Sequence, residues 1–265
     1  MNRVTRGQKT YFAAVGLLAL WVGVWGYFIP GRVDQALPWL VPPLHARFLG
    51  AMYLSATTLM VGCILARRYA EVQAVVPMIT IWTGMLFVVS LLHLGEFDYS
   101  RPQVWIWFGA YLIYPLIALW FTWLHRTLRD EATGPGSPGW VRAYLLAHGS
   151  VTTALALALL FAPGLMASVW PWKITPLLAQ IYSGPFLSYG LGSLMLCRRR
   201  TWPEIRVAVA GTFVFAFGVL LASTIHRVLF SALNPATWLW FGGFLLTTAM
   251  LGFLTVRAIQ ARGST

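Results

Sequence analysis

The sequence predicts an all-α integral membrane protein of eight transmembrane helices. They form two tandem parallel four-helix repeats related by a pseudo-two-fold axis along the membrane normal. Three observations predict it. The 265 residues are 58% hydrophobic and only 10% charged, where a soluble domain carries about 25% charged residues. The basic residues lie between long apolar runs rather than within them. The second half superposes on the first at a constant offset of 133 positions, without a gap from Tyr11 to Thr122.

Helices rather than barrel strands are expected, because the runs are continuously apolar and long enough for a core about 30 Å thick. Span 1 (11–29) follows the basic Arg3, Arg6 and Lys9. That start resembles a signal peptide, but no small-x-small cleavage site follows and the run has a counterpart later, so it reads as a retained helix. Pro30-Gly31 ends it, and Pro42-Pro43 starts span 2 (44–66), since proline suits the first helical turn. Arg67 and Arg68 separate span 2 from span 3 (72–94), which closes at His93. Pro102 opens span 4 (102–124).

The longest connection then contains Thr133-Gly134-Pro135-Gly136-Ser137-Pro138-Gly139, a linker composition. It divides the chain into a first repeat at 1–127, a cytoplasmic linker at 128–141 and a second repeat at 142–265. Spans 5 to 8 follow at 143–162, 177–197, 205–226 and 236–257. Span 6 is rich in Ser, Gly and Pro (Ser183-Gly184-Pro185, Ser188, Gly190, Gly192, Ser193). Small residues there allow close helix approach, and Pro185 is a candidate kink.

The repeat matches rare residue types as well as apolar ones. Pro30 pairs with Pro163, Pro43 with Pro176, Ser55 with Ser188 and Glu71 with Glu204. Ser90 pairs with Ser223, His93 with His226, Pro102 with Pro235 and Trp107 with Trp240. Four spans is an even number, so both halves insert in the same sense, unlike inverted repeats.

Of the 19 Lys and Arg residues, only Arg32, Arg47, Arg101, Lys173 and Arg227 fall on the face opposite the N-terminus. The other fourteen share its side. The positive-inside rule therefore puts both termini in the cytoplasm of a cell (inner) membrane. The same bias accounts for the net charge of +12 without nucleic acid. Only Lys9 and Lys173 are lysines, an arginine bias that fits a GC-rich bacterial genome.

The polar and aromatic repeat residues concentrate on the outer face. They include Trp39 and Trp172, Phe97 and Phe230, and Trp105 and Trp238 beside His93 and His226. One reading is an interfacial aromatic belt; the other is an outward-facing aromatic pocket at the repeat interface. The halves differ there, with Glu96 and Asp98 in one and Arg227 in the other. An asymmetric binding lobe or a cross-half ion pair would explain that difference. On the inner face, Arg67 with Glu71 and Arg200 with Glu204 are expected to pair over four residues.

Cys63 and Cys197 have no metal-binding spacing, and no Walker loop, GxSxG or HExxH occurs. No span carries a central Asp or Glu, which points away from a carboxylate-relay pump. The leading functional reading is a non-enzymatic protein that binds or carries an apolar or amphipathic molecule of the lipid or quinone class. Its site residues would be His93, His226, Trp39, Trp172, Trp105, Trp238, Phe97, Phe230, Glu96, Asp98 and Arg227. Two alternatives stand beside it: an accessory subunit of a larger membrane complex, and a redox protein with haem ligated by His93 and His226. No cofactor is otherwise indicated.

Overall fold

The computed structural model describes residues 3–39, 41–127, 134, 136–199 and 201–263, with the side chains at 258, 259 and 261–263 excepted. Arg129, Arg200, the side chain of Arg262 and half of the expected linker (128–133 and 135) lie outside the described residues. The chain is 81% helix, without strands among the described residues.

Helix α1 (Arg6–Phe28) is followed by a 3-10 turn at Pro30–Gln35, then α2 (Pro43–Leu65) and a second turn at Tyr69–Glu71. Next come α3 (Val75–Leu92), a turn at Leu94–Glu96, α4 (Pro102–Leu124) and α5 (Gly139–Phe161). The short α6 (Pro163–Val169) precedes α7 (Pro176–Leu196) and α8 (Trp202–Ile225). A turn at Arg227–Leu229 and α9 (Pro235–Gly263) complete the described chain. Pro43, Pro102, Pro176 and Pro235 are each the first residue of a helix, where a missing N–H costs nothing.

Seven of these helices are long and apolar enough to cross a membrane. The exception among the expected spans is α7, which has 21 residues but is diluted by Gln180, Ser183, Ser188, Ser193, Pro185 and its glycines. Helix α7 runs through Pro185, and most of it is buried. The outward sides of α4 and α9 are the reverse: Leu116, Trp120, Leu239 and Leu246 are all more than half exposed. Acyl chains are the environment such surfaces fit.

Two compact units emerge, and each draws helices from both sides of the 128–141 segment. Unit 1 comprises Met1–Thr5, Leu65–Ser168 and Ile174–Ala208; unit 2 comprises Arg6–Ile64, Val169–Lys173 and Val209–Thr265. In unit 1, α3 packs on α4 and α7, and α5 packs on α7. The last contact is close: a Cβ on Gly190 would lie 2.7 Å from the amide nitrogen of Thr153. In unit 2, α1 and α2 meet at Gly26 and Gly50, where a Cβ on Gly50 would lie 2.7 Å from the Gly26 carbonyl carbon.

Polar pins of the same chemistry hold both units. In unit 1 the buried Ser188 hydroxyl donates to Met78 O at 2.8 Å; in unit 2 Ser55 donates to Gly211 O at 2.6 Å. Trp107 Nε1 donates to Ser90 Oγ at 2.8 Å, and Trp240 Nε1 to Ser223 Oγ at 2.9 Å. Isolated backbone bridges join Arg3 to Arg68 and Gly136 to Thr201. In every case the two members of one pair stand 133 positions from their counterparts.

At the arginine-rich end of unit 1 the expected four-residue ion pairs take a different form. Glu71 accepts the backbone N–H groups of Arg67 and Arg68, at 3.1 and 3.0 Å. Its second oxygen is paired with the guanidinium of Arg206, not of Arg67. A buried carboxylate capping a turn needs its own amides first, and Arg206 on α8 is close enough to neutralise what remains. Glu204 likewise accepts Thr201 N and Oγ1, at 3.1 and 2.9 Å, with Arg199 at 3.5 Å. Its expected partner, Arg200, lies outside the described residues.

Candidate functional site

Three places hold the functional candidates. The first is the pair of histidines, each ending a long helix. His93 caps α3, and its Nε2–H donates to Gln180 Oε1 at 2.6 Å within unit 1. Gln180 completes its amide by donating to Leu160 O at 3.0 Å. His226 follows α8, and in unit 2 its Nε2 accepts from the Arg47 guanidinium at 2.6 Å. Gln180 and Arg47 are themselves 133 positions apart. The two sites therefore share a plan with opposite polarity: one ring donates through Nε2 and the other accepts. An accepting Nε2 must be unprotonated. Burial first, and then the Arg47 charge, pulls His226 below the ordinary histidine range.

The second place is an aromatic nest in unit 2. Trp172 lies 4.8 Å from Trp240, 5.3 Å from Phe230 and 5.9 Å from Phe48, ring centre to ring centre. His45 meets the Trp172 edge at 6.3 Å. These rings fill one another's space in tilted and edge contacts. In unit 1, Phe97 is buried against Phe108 at 5.0 Å. Trp105 and Trp238 are different: they are 63% and 67% exposed, with their N–H groups on Tyr99 O and Ala232 O. An indole tied at one edge and open on its face is what a membrane-interface residue presents. Trp39 is half-buried, while Glu96, Asp98 and Arg227 are exposed. Ser100 spends its hydroxyl (2.6 Å) and backbone N–H (3.1 Å) on Asp98. Those bonds, with a smaller contribution from Arg101, hold the Asp98 carboxyl below the usual carboxylate range.

The third place was not singled out by sequence reasoning. A cavity of about 610 Å³ opens in unit 1 where α4 and α7 end. Its polar lining includes Tyr69, Gln73, His125, Arg126, Arg198 and Arg199. Ile81, Leu191, Leu194 and Met195 form its apolar part. His125 stacks on Tyr69 at 4.0 Å with the rings 15° apart, and its Nδ1–H donates to Phe121 O at 2.8 Å. That bond leaves Nε2 turned away from the helix carbonyl, able to meet a ligand donor when neutral or an anion when protonated. The volume is within the range of small-molecule sites, about 300–1,000 Å³.

No protein-family model, curated protein or solved structure matches this chain. The geometry alone must carry the functional reading.

The arginines of the cavity were legible in the sequence only as orientation signals. One further signal could have marked them. The positions 133 residues away from His125, Arg126, Arg198 and Arg199 are Ala258, Ile259, Leu65 and Ala66. None of the four offset positions carries a basic residue.

Proposed function

We propose that the chain is an eight-span membrane protein of two tandem parallel four-span repeats that binds or carries an amphipathic small molecule. Both termini are cytoplasmic and the membrane is a cell (inner) membrane in this reading. The observation that carries it is the cavity of unit 1, with guanidinium groups on its polar lining and aliphatic side chains beside them. A molecule with a polar head and an apolar body matches both surfaces at once.

The paired hydrogen bonds at constant offset support the duplication, and the fourteen basic residues on one side support the orientation. The histidines serve as pins in this account. Each Nε2, the ring nitrogen best placed to ligate iron, already has a neighbour. Bis-histidine haem would require both of those bonds to break. The aromatic nest likewise supports a packed wall more than an open pocket, since its rings are in mutual contact.

Organic extraction of the protein purified from its own membrane, followed by mass spectrometry and an absorption spectrum, tests the reading. A stoichiometric amphiphile is expected. A clean, colourless protein that retains no small molecule would sink the binding role and favour an accessory subunit.

A further inference from the structure

The cavity in unit 1 also constrains the chemistry of its occupant, given that an amphiphile binds there. Arginines at helix C-termini usually have a local task, the capping of last-turn carbonyls. Arg126 performs it, donating to Trp123 O at 2.8 Å with its guanidinium 4.4 Å over the Trp123 ring. Arg199 is partly committed, 3.5 Å from the Glu204 carboxylate. Arg198 has no hydrogen-bond or ion-pair partner among the described residues, and it is exposed. Local structure therefore explains the first, half-explains the second and leaves the third without a task.

The 133-residue offset provides an internal control. Residues that pin the helices recur at the 133 offset: Ser55 with Ser188, Ser90 with Ser223, Glu71 with Glu204. The cavity cations do not recur, being replaced by Ile259, Leu65 and Ala66. The chain at those offset positions is thus built without these charges. Among the described residues, three guanidiniums on one cavity face a single carboxylate, beside Arg199, and leave net positive charge there. A phosphate carries more acceptor oxygens than a carboxylate and can share them among guanidiniums from two chain segments. A neutral quinone would leave the charge unanswered. A bare phosphate would leave most of the 610 Å³ and the aliphatic wall empty.

We infer that this cavity binds one anionic phospholipid. Its phosphate is held by Arg126, Arg198 and Arg199, and its glycerol and first acyl methylenes lie against Ile81, Leu191 and Leu194. Basic pockets between membrane helices recognise anionic headgroups through the same chemistry.

The test is native mass spectrometry of the full chain in mild detergent, titrated with dioleoyl phosphatidylglycerol and dioleoyl phosphatidylcholine. Inorganic phosphate and oleate serve as competitors. One phosphatidylglycerol per chain is expected to persist, with phosphatidylcholine, oleate and phosphate failing to replace it. At about 1 kcal/mol per arginine, Arg198→Ala weakens retention about fivefold, and Arg126→Ala with Arg198→Ala about thirtyfold. Arg198 has no partner to lose among the described residues, so its single variant reports binding even if the double variant folds poorly. Arg257→Ala, in unit 2 over Phe253, leaves retention unchanged. Full retention in Arg198→Ala and in the double variant overturns this site but leaves amphiphile binding standing. Equal retention of phosphatidylcholine overturns the anionic headgroup. Displacement by inorganic phosphate assigns the arginines to a soluble anion and overturns the lipid. Retention of no amphiphile at all overturns both this inference and the function on which it rests.

Discussion

Gly50→Ala is the sharpest test of how unit 2 is assembled. Gly50 sits on α2 where that helix crosses α1, and an added Cβ would stand 2.7 Å from the Gly26 carbonyl carbon and 2.8 Å from Tyr27 Cα. Both are backbone atoms, so no side chain can rotate away and the helices must separate. Overpacking of this kind costs about 1–3 kcal/mol, with rigid neighbours toward the upper end. Alanine returns roughly 1 kcal/mol of helix propensity. The net expectation is a loss of about 1–2 kcal/mol. Gly109→Ala on α4 meets nothing within 4 Å and keeps the propensity gain alone. The two variants should therefore differ by about 2–3 kcal/mol in equilibrium unfolding with SDS in mixed micelles. Equal stability of the two would refute the close α1–α2 crossing.

Further outcomes follow from the polar pins. Protonating His226 removes the lone pair that accepts Arg47, and its depressed pKa means the unfolded chain takes up the proton first. That stability is therefore complete above the ordinary histidine value of 6.5 and falls as pH drops below it. Arg47→Gln recreates the His93–Gln180 chemistry and should reduce this dependence by the Arg47 share while the larger burial share stays, measured as unfolding midpoint against pH; an unchanged acid loss would contradict the assigned pair. Trp107→Phe and Trp240→Phe should each cost about 1 kcal/mol through the lost serine bond, and to similar extents. Widely different penalties in the same unfolding assay would argue that the two units do not share this pin. Arg206→Ala should cost about 1–3 kcal/mol, because Glu71 is buried and keeps only its amide donors. Arg199→Ala should cost less, since Glu204 remains held by Thr201; the reverse order would displace Arg206 from its role.

Much of the helical architecture is legible in the sequence because bilayer burial imposes a simple rule on composition. Pro43, Pro102, Pro176 and Pro235 mark helix starts directly, since the ring fixes φ and removes a donor that has no partner there. Helix α7 shows the limit of hydropathy: it is buried among other helices, so it tolerates serines and a glutamine that a lipid-facing helix would not. Side-chain partners were harder to read. Nothing in spacing joins Gln180 to His93 or Arg206 to Glu71, because those contacts arise from packing between distant segments. The cavity was hidden for a different reason. An arginine between two apolar runs has the same appearance whether it orients the chain or meets a ligand.

The most direct test of the amphiphile site is photocrosslinking with a phosphatidylglycerol carrying a diazirine near the start of its acyl chain, in bilayers, followed by peptide mapping. Labelling concentrated on 191–195 and Ile81, and reduced in Arg198→Ala, is the result expected from the cavity in unit 1. Labels confined to the open faces of α4 and α9, around Leu116, Trp120 and Leu246, and indifferent to Arg198, would show ordinary solvation by the bilayer and contradict a binding site.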